Sequence, residues 1–334
     1  MNRSVKAASE RAFSADVLRL DAPAEIERTS GAIREQIFKT LRRKGAVLGL
    51  SGGIDSSVTA ALCVQAIGAD RVLGLLMPEG ESASETTGLG QLVAAHLGIR
   101  TIIEDITPIL EAAGCYSRRD AAIRTLFPEY GAGYKSKIVL PSSLENDSYK
   151  LFSLVVESPS GEQKRARLTA DAYLAILAAT NFKPRARKMM EYHYADRFQY
   201  AVAGTPNRLE YDQGFFVKLG DGAADLKPIA HLYKTQVYEL ANILGIPEEI
   251  RLRPPTADTY SLAQSQEEFY FSLPYDKLDL CLFGLNHGVS PEDVAPSVDL
   301  TPEQVERVYR DIVSKRRATT YLHMAPMLVE DVLD

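Results

Sequence analysis

Residues 46–57 constrain this chain more than any other stretch. Ala46-Val47-Leu48-Gly49-Leu50 is an apolar run with the character of a buried strand. Ser51-Gly52-Gly53-Ile54-Asp55-Ser56-Ser57 follows at once, and Val58-Thr59-Ala60-Ala61-Leu62-Cys63-Val64 continues as a helix expected to end near Gly68. A strand, a Gly/Ser loop and a helix start together form an anion cradle. Glycines let backbone N–H groups approach an oxyanion closely, and the helix N-terminus adds positive potential. The loop lacks the Lys-Ser/Thr ending of the common nucleotide-triphosphate loop. It is therefore expected to hold a pyrophosphate that departs, with attack at the α-phosphorus.

The same alternation repeats downstream. Residues 47–50, 72–77 and 101–106 have strand character, and the intervening 57–67 and 85–97 read as helices closed by Gly68 and Gly98. This order predicts a parallel sheet with right-handed crossovers, with ligands outside the carboxyl ends of the strands. Met77-Pro78 lies at one such end and is a candidate adenine wall. A preceding helix is expected over 24–41, with basic Arg42-Arg43-Lys44 at its end and Gly45 as its stop. Helical pattern resumes at Asp171, breaks at Asn181-Phe182-Lys183-Pro184 and runs on to about Phe198. A fourth strand is expected over 200–203 and a helix over 234–244.

Residues 115–168 do not fit this rhythm and read as an irregular excursion from the sheet. A hairpin is expected around Ser158-Pro159-Ser160-Gly161-Glu162, flanked by 149–157 and 165–168. The fold expected is a doubly wound parallel α/β sheet flanked by helices, with this inserted segment and a helical C-terminal tail over 275–334. Residues 1–334 form one domain in this reading.

Composition narrows the partners. With 334 residues and 46% hydrophobic content the chain can bury a sizeable core. A formal charge of −6 gives no global attraction for nucleic acid. Cys63, Cys115 and Cys281 have neither metal-ligand nor redox spacing, and Cys63 falls on an apolar helix face. This usage suits a reducing cytoplasm. No apolar run is long enough to span a bilayer. The five histidines show no metal-ligand spacing, and no Ser-His-Asp arrangement can be inferred.

Candidate chemistry lies in acidic and basic residues beside glycines. A carboxylate in the loop, Asp55, would repel a polyphosphate unless a hard cation lay between them, so it reads as a Mg²⁺ ligand; the other reading is a helix cap. In Gly204-Thr205-Pro206-Asn207-Arg208-Leu209-Glu210, Thr205 could donate to a phosphate and Glu210 could complete the metal shell. Spacing alone equally allows an ordinary strand–turn–helix. Lys218 and Asp225, in Phe215-Phe216-Val217-Lys218-Leu219-Gly220-Asp221-Gly222-Ala223-Ala224-Asp225, read either as a phosphate contact and a cation partner or as hairpin surface charges. Lys234, Thr256 and Lys315 carry the same ambiguity.

Taken in order, SGGIDSS, GTPNRLE, GFFVKLGDGAADLKP, LYKTQVYELANILGIP and PPTAD resemble the NAD synthetases, a family of N-type ATP pyrophosphatases. The resemblance covers roughly residues 24–110 and 171–282. It implies amide formation on nicotinic acid adenine dinucleotide (deamido-NAD). ATP adenylates the nicotinate carboxylate and releases pyrophosphate, and ammonia then displaces AMP to give NAD. By this resemblance Gly49, Leu50, Ser51, Gly52, Gly53, Ile54, Asp55, Ser56 and Ser57 hold ATP together with Met77, Thr205, Lys234 and Thr256. Asp55 and Glu210 bind Mg²⁺ and, with Lys218, form the catalytic set. Arg185, Lys218, Asp225 and Lys315 contact the acid substrate. The family is usually a homodimer with substrate at the subunit interface. No glutaminase region is recognisable, so free ammonia, or ammonia from a separate subunit, is the expected donor. No nucleic-acid or membrane partner is expected.

The chain departs from the family pattern in three places, all on the acid-substrate side. Ser314-Lys315 stands where His-Lys is common, Asn181-Phe182-Lys183-Pro184-Arg185 replaces Asn-Ile-x-Ala-Arg, and the 115–168 excursion is longer than usual. The alternative function is therefore a related amide ligase that adenylates a different carboxylic acid. A non-catalytic regulator is disfavoured because Asp55 and Glu210 are both present.

Overall fold

The computed structural model describes residues 12–82, 84–140, 152–254, 260–262, 270–271, 273–330 and 332. Strands β1 (Ala46–Gly49), β2 (Val72–Leu76) and β3 (Arg100–Ile103) alternate with helices α1 (Ala22–Glu35), α2 (Ile54–Ile67) and α3 (Ser84–Leu97). Short α4 (Thr107–Ala112) and α5 (Cys115–Arg124) follow, then β4 (Lys135–Val139), β5 (Ser153–Glu157) and β6 (Gln163–Arg167). Helices α6 (Ala170–Thr180) and α7 (Phe182–Phe198) lead to β7 (Ala201–Val202). The chain ends with α8 (Arg208–Gln213), α9 (Lys234–Ile243), α10 (Glu248–Arg251), α11 (Tyr275–His287), α12 (Pro291–Val298) and α13 (Pro302–His323).

The main sheet has the order β3-β2-β1-β7, with every pairing parallel. Successive strand residues point to opposite faces. Ala46 and Leu48 pack with residues of α1, α2, α3 and α9, whereas Val47 packs with Leu73 and Leu75 against α4 and α7. Both faces are therefore covered, as the apolar strands require. Strands β2 and β3 lie on one side of β1 and β7 on the other. The direction of winding thus reverses at β1, and the crevice between β1 and β7 is the place such a sheet offers a ligand.

The first helix covers nearly the span the sequence suggests, 22–40 against 24–41. A π-helical turn over Gln36–Thr40 continues α1, and the left-handed Arg42 (φ 53°) ends it before Gly45 is reached. The helix from the glycine loop ends at Gly68 as expected, with φ 83°. Cys63 is fully buried in the main core, and Cys115 and Cys281 are buried too.

The excursion is more regular than the sequence suggests. The hairpin is present, since β5 and β6 pair antiparallel from Ser153↔Arg167 to Glu157↔Gln163, and β4 adds a third strand. Residues 149–151 of the expected hairpin lie outside the described residues. Ile123, Ile138, Leu154, Val156 and Ile176 give this sheet its own small core. The tail helices α11–α13 pack around Leu18, Phe271, Cys281 and Val305.

A buried ionic network joins the excursion to the main sheet. Lys183, 1% exposed at the start of α7, donates to Glu79 (3.0 Å) and Glu81 (2.7 Å) in the segment after β2. From α5, Arg119 donates to Glu81 (2.5 and 2.6 Å), and Tyr116 donates to Glu79 (2.5 Å). Burial by itself raises the Glu81 pKa, but Lys183 and then Arg119 outweigh it and hold the carboxyl below its ordinary value.

Two predictions follow from this architecture. Gly52 has φ +71°, and a Cβ there would stand 2.5 Å from Cβ of Leu89 on α3. Gly52→Ala should lower stability by about 2 kcal/mol or more, read as a lower melting temperature. Glu81 has a depressed folded pKa, so its contribution is present above the unfolded value and is lost as pH falls through the folded one. The urea midpoint of the wild type should therefore decline as pH drops below about 4.5, the ordinary glutamate value. Glu81→Gln should be less stable at neutral pH and show a shallower acid decline; an unchanged slope would contradict the network's role.

Candidate active site

The loop after β1 is braced by its own hydroxyls. Gly53 N–H donates to Ser51 Oγ (3.3 Å), and the hydroxyls of Ser56 and Ser57 donate back to the Gly53 carbonyl (3.0 and 2.8 Å). Ser51 Oγ and Ser56 Oγ lie 3.2 Å apart. Ser57 is fully buried in this brace, and Gly52 makes the left-handed bend. Neither lines the cavity, whereas Gly49, Leu50, Ser51, Gly53, Ile54, Asp55 and Ser56 do. That cavity has a volume of about 570 Å³ and sits over the β1–β7 crevice. Met77 and Pro78 after β2, and Thr205 after β7, complete the nearer walls.

Three charged side chains meet at its floor. Asp55, in the first turn of α2, accepts from Nζ of Lys234 at the start of α9 and from the Asn207 side-chain amide (3.2 Å). Asn207 and Glu210 form a capping box on α8: Asn207 Oδ1 accepts from the Glu210 N–H (3.2 Å), and Glu210 Oε2 accepts from the Asn207 N–H (3.1 Å). The cap that starts α8 thus fixes both Glu210 and the partner of Asp55. Burial raises the Glu210 pKa, and the Asp55 charge raises it further. Lys234 is 1% exposed; burial opposes its charge, but Asp55 and Glu210 outweigh it and raise its pKa.

Lys234 is itself held from the tail. Asp279 on α11 accepts from the backbone N–H of Lys234 (3.2 Å) and of Thr235 (2.8 Å), and from the Thr235 hydroxyl (2.8 Å). Burial pushes the Asp279 pKa up to about 6. An acidic side chain from another helix therefore caps α9, where Tyr233 offers no side-chain cap of the usual Ser/Asp kind.

The basic residues separate into two groups. Arg185 and Lys218 line the cavity. Arg185 Nε donates to the Lys218 carbonyl (3.3 Å), and Lys218 Nζ donates to carbonyls of Tyr321 (2.8 Å), in the last turn of α13, and of Met324 (3.4 Å), just after it. Asp225 and Lys315 stand outside the lining. Asp225 accepts from the Val202 N–H (2.8 Å) and from Tyr192 (3.3 Å), securing the end of β7. Lys315 pairs with Asp311 (2.9 Å) and donates to the Tyr270 carbonyl (2.6 Å). Thr256 lies outside the described residues.

Of the α7 residues that line the cavity, the sequence pointed to Arg185 and missed the other charged ones. Lys183, Arg187, Lys188 and Glu191 all line the cavity, and Lys188 and Glu191 form a buried pair at 2.5 Å. Residues 183, 187 and 191 recur every four positions, so one helical face carries them. That charged stripe on a helix flanking the sheet was the available signal. Phe152 and Tyr173, which also line the cavity, gave none.

The donor set suits a hard divalent cation. Two carboxylates, Asp55 and Glu210, reach one cavity beside a phosphate-type loop, and burial first and the Asp55 charge second raise the Glu210 pKa. Among the described residues no group of three or more His, Cys, Asp or Glu side chains forms a closed metal site. Mg²⁺ is commonly bound by one or two carboxylates with water and substrate phosphates, and this arrangement matches that habit.

Comparison with known proteins agrees with the geometry. A family model described as NAD synthase matches residues 25–125 and 155–319, leaving 126–154 of the excursion unmatched. An NH(3)-dependent NAD(+) synthetase of Rhizobium meliloti (strain 1021) is 60% identical over 320 residues, 96% of each chain. Among solved structures, NMN synthetase from Francisella tularensis has a TM-score of 0.63 at 21% identity, covering 93% of this chain and 99% of that one. NH3-dependent NAD synthetase from Campylobacter jejuni, in complex with the nitrate ion, has a TM-score of 0.60 at 22% identity, covering 93% and 100%. The last two share the fold. With the family match spanning most of its length and a relative so similar from end to end, this chain belongs to the NAD synthase family.

Proposed function

We propose that this protein catalyses the ATP-dependent amidation of deamido-NAD to NAD, with ammonia as the nitrogen donor and AMP and pyrophosphate as the other products. One observation carries the proposal: a single cavity is lined both by the Ser51–Ser56 loop with Asp55, Glu210 and Lys234 and by the cationic Arg185 and Lys218. An ATP and an acid can therefore meet there. The high identity to the Rhizobium meliloti synthetase favours deamido-NAD over another carboxylate.

The chemistry follows from leaving-group basicity. Ammonia cannot expel hydroxide, the conjugate base of water of pKa about 15.7. A phosphate ester titrating near roughly 6 departs readily. The carboxylate oxygen attacks the α-phosphorus, the bond to pyrophosphate breaks, and the acyl-adenylate forms. Ammonia then attacks the acyl carbon, loses a proton, and AMP departs with the carboxylate oxygen.

In this reading the loop N–H groups and the α2 N-terminus hold the phosphates, with Thr205 and Lys234 beside them and Met77 against the adenine. Asp55 and Glu210 would hold Mg²⁺, which supplies charge neutralisation when bound. Lys218 and Arg185 orient the acid. Asp225 and Lys315 act on that side through Val202 and Tyr270, and Thr256 remains assigned by resemblance. Catalysis is positioning and charge neutralisation, with no covalent enzyme intermediate. The reading treats residues 1–334 as one synthetase unit, acting as a homodimer in the cytoplasm. Among the described residues no helix is long and apolar enough to cross a membrane.

Asp55→Asn should lower kcat for Mg²⁺-dependent pyrophosphate release on the order of 10²–10³-fold while the protein stays folded. Turnover at the wild-type rate would remove the metal assignment.

A further inference from the structure

The cavity has an aromatic wall that the phosphate loop and the cationic residues leave without a role. Phe152, just before β5, and Tyr173 on α6 stack with ring centroids 4.4 Å apart and planes 18° apart. Both rings line the same cavity as Ser51 and Asp55, as does Leu177, one turn beyond Tyr173. The small core of the excursion supports the two rings, which stay only partly buried. The wall is also fixed in place. Lys183, itself a cavity residue, ties α7 through Glu81 to Arg119 in the excursion. Phe152 falls in the interval 126–154 that the family model leaves unmatched. Tyr173 and Leu177 lie within the matched residues, so the inserted segment adds Phe152 to a wall that α6 already begins.

A supported aromatic pair open to a cavity offers stacking to a flat ring. The ATP adenine already has Met77 and Pro78 in the proposed site. The acid substrate brings two further flat heterocycles, nicotinate and adenine. Resting on the amidation reading above, we infer that Phe152 and Tyr173 form a stacking subsite for a planar heteroaromatic ring of the acid dinucleotide. The inserted segment is then a specificity wall that helps select the acid.

The test is steady-state pyrophosphate release with ATP, ammonia and deamido-NAD for the wild type, Phe152→Leu, Tyr173→Leu and Tyr173→Phe, alongside melting temperatures. The leucine variants keep apolar bulk and lose the π-face. They should raise KM for deamido-NAD roughly tenfold, about 1.4 kcal/mol, with KM for ATP unchanged within about twofold. Tyr173→Phe should match the wild type. Nicotinic acid mononucleotide as a competitor assigns the ring: parallel weakening identifies nicotinate, and unchanged inhibition identifies adenine. Unchanged KM for deamido-NAD in the leucine variants, or equal rises in both KM values, would overturn the inference. The chain has no tryptophan, so Tyr173→Trp adds a second readout in a single indole. Deamido-NAD should quench its fluorescence, and no quenching would count against the subsite. A wild type inactive with deamido-NAD but active with another acid would instead overturn the functional reading, and this subsite with it.

Discussion

The contact between Lys234 and Asp55 is the constraint on which the site depends. Two carboxylates, Asp55 and Glu210, reach one largely dehydrated floor, where their repulsion is strong. A single buried ammonium offsets it. That ammonium cannot choose its position freely, because Asp279 on α11 caps the helix it begins. The order of influence runs from tail to α9 to the loop. The C-terminal helices are thus part of the machinery that sets the charge at the β1–β7 crevice. The loop adds its own rigidity, since Ser56 and Ser57 both return to the Gly53 carbonyl.

A second set of buried charges decides how the excursion sits. Lys183, Glu79, Glu81, Arg119 and Tyr116 satisfy one another across three separate elements. Such a network adds little stability over a well-packed apolar cluster, but removing one member typically costs about 3–5 kcal/mol because a charge is left buried and unpaired. Its value here is geometric. It sets α5 and the excursion's small sheet against the start of α7, and so sets Phe152 against the cavity.

The main sheet was legible because each strand is short and apolar and each following helix closes on a glycine such as Gly68 or Gly98. Its strand order was not, since a fourth strand could have paired beside β3 as well as beside β1, where β7 lies. The end of the first helix was legible to within a residue, but its stop was not, because Arg42 rather than Gly45 takes the left-handed conformation. The ATP side of the site is written in contiguous motifs, so residues 49–51 and 53–56, Thr205, Glu210 and Lys234 could be found, and all reach one cavity. The acid side is assembled from distant segments. Asp225 and Lys315 carry suggestive charges but serve Val202 and Tyr270. Phe152 carries no charge and no motif, and only the three-stranded fold of the excursion brings it to the wall. Local sequence announces backbone-built sites well and side-chain-built walls poorly.

The central claim is attack of a carboxylate oxygen on the α-phosphorus of ATP, and an isotope can follow that oxygen. Deamido-NAD labelled with ¹⁸O in both carboxylate oxygens should be turned over with ATP, Mg²⁺ and ammonia, and the products weighed. The account predicts one ¹⁸O in AMP, one retained in the NAD amide, and none in pyrophosphate. Label appearing in pyrophosphate or orthophosphate, with AMP unlabelled, would contradict it.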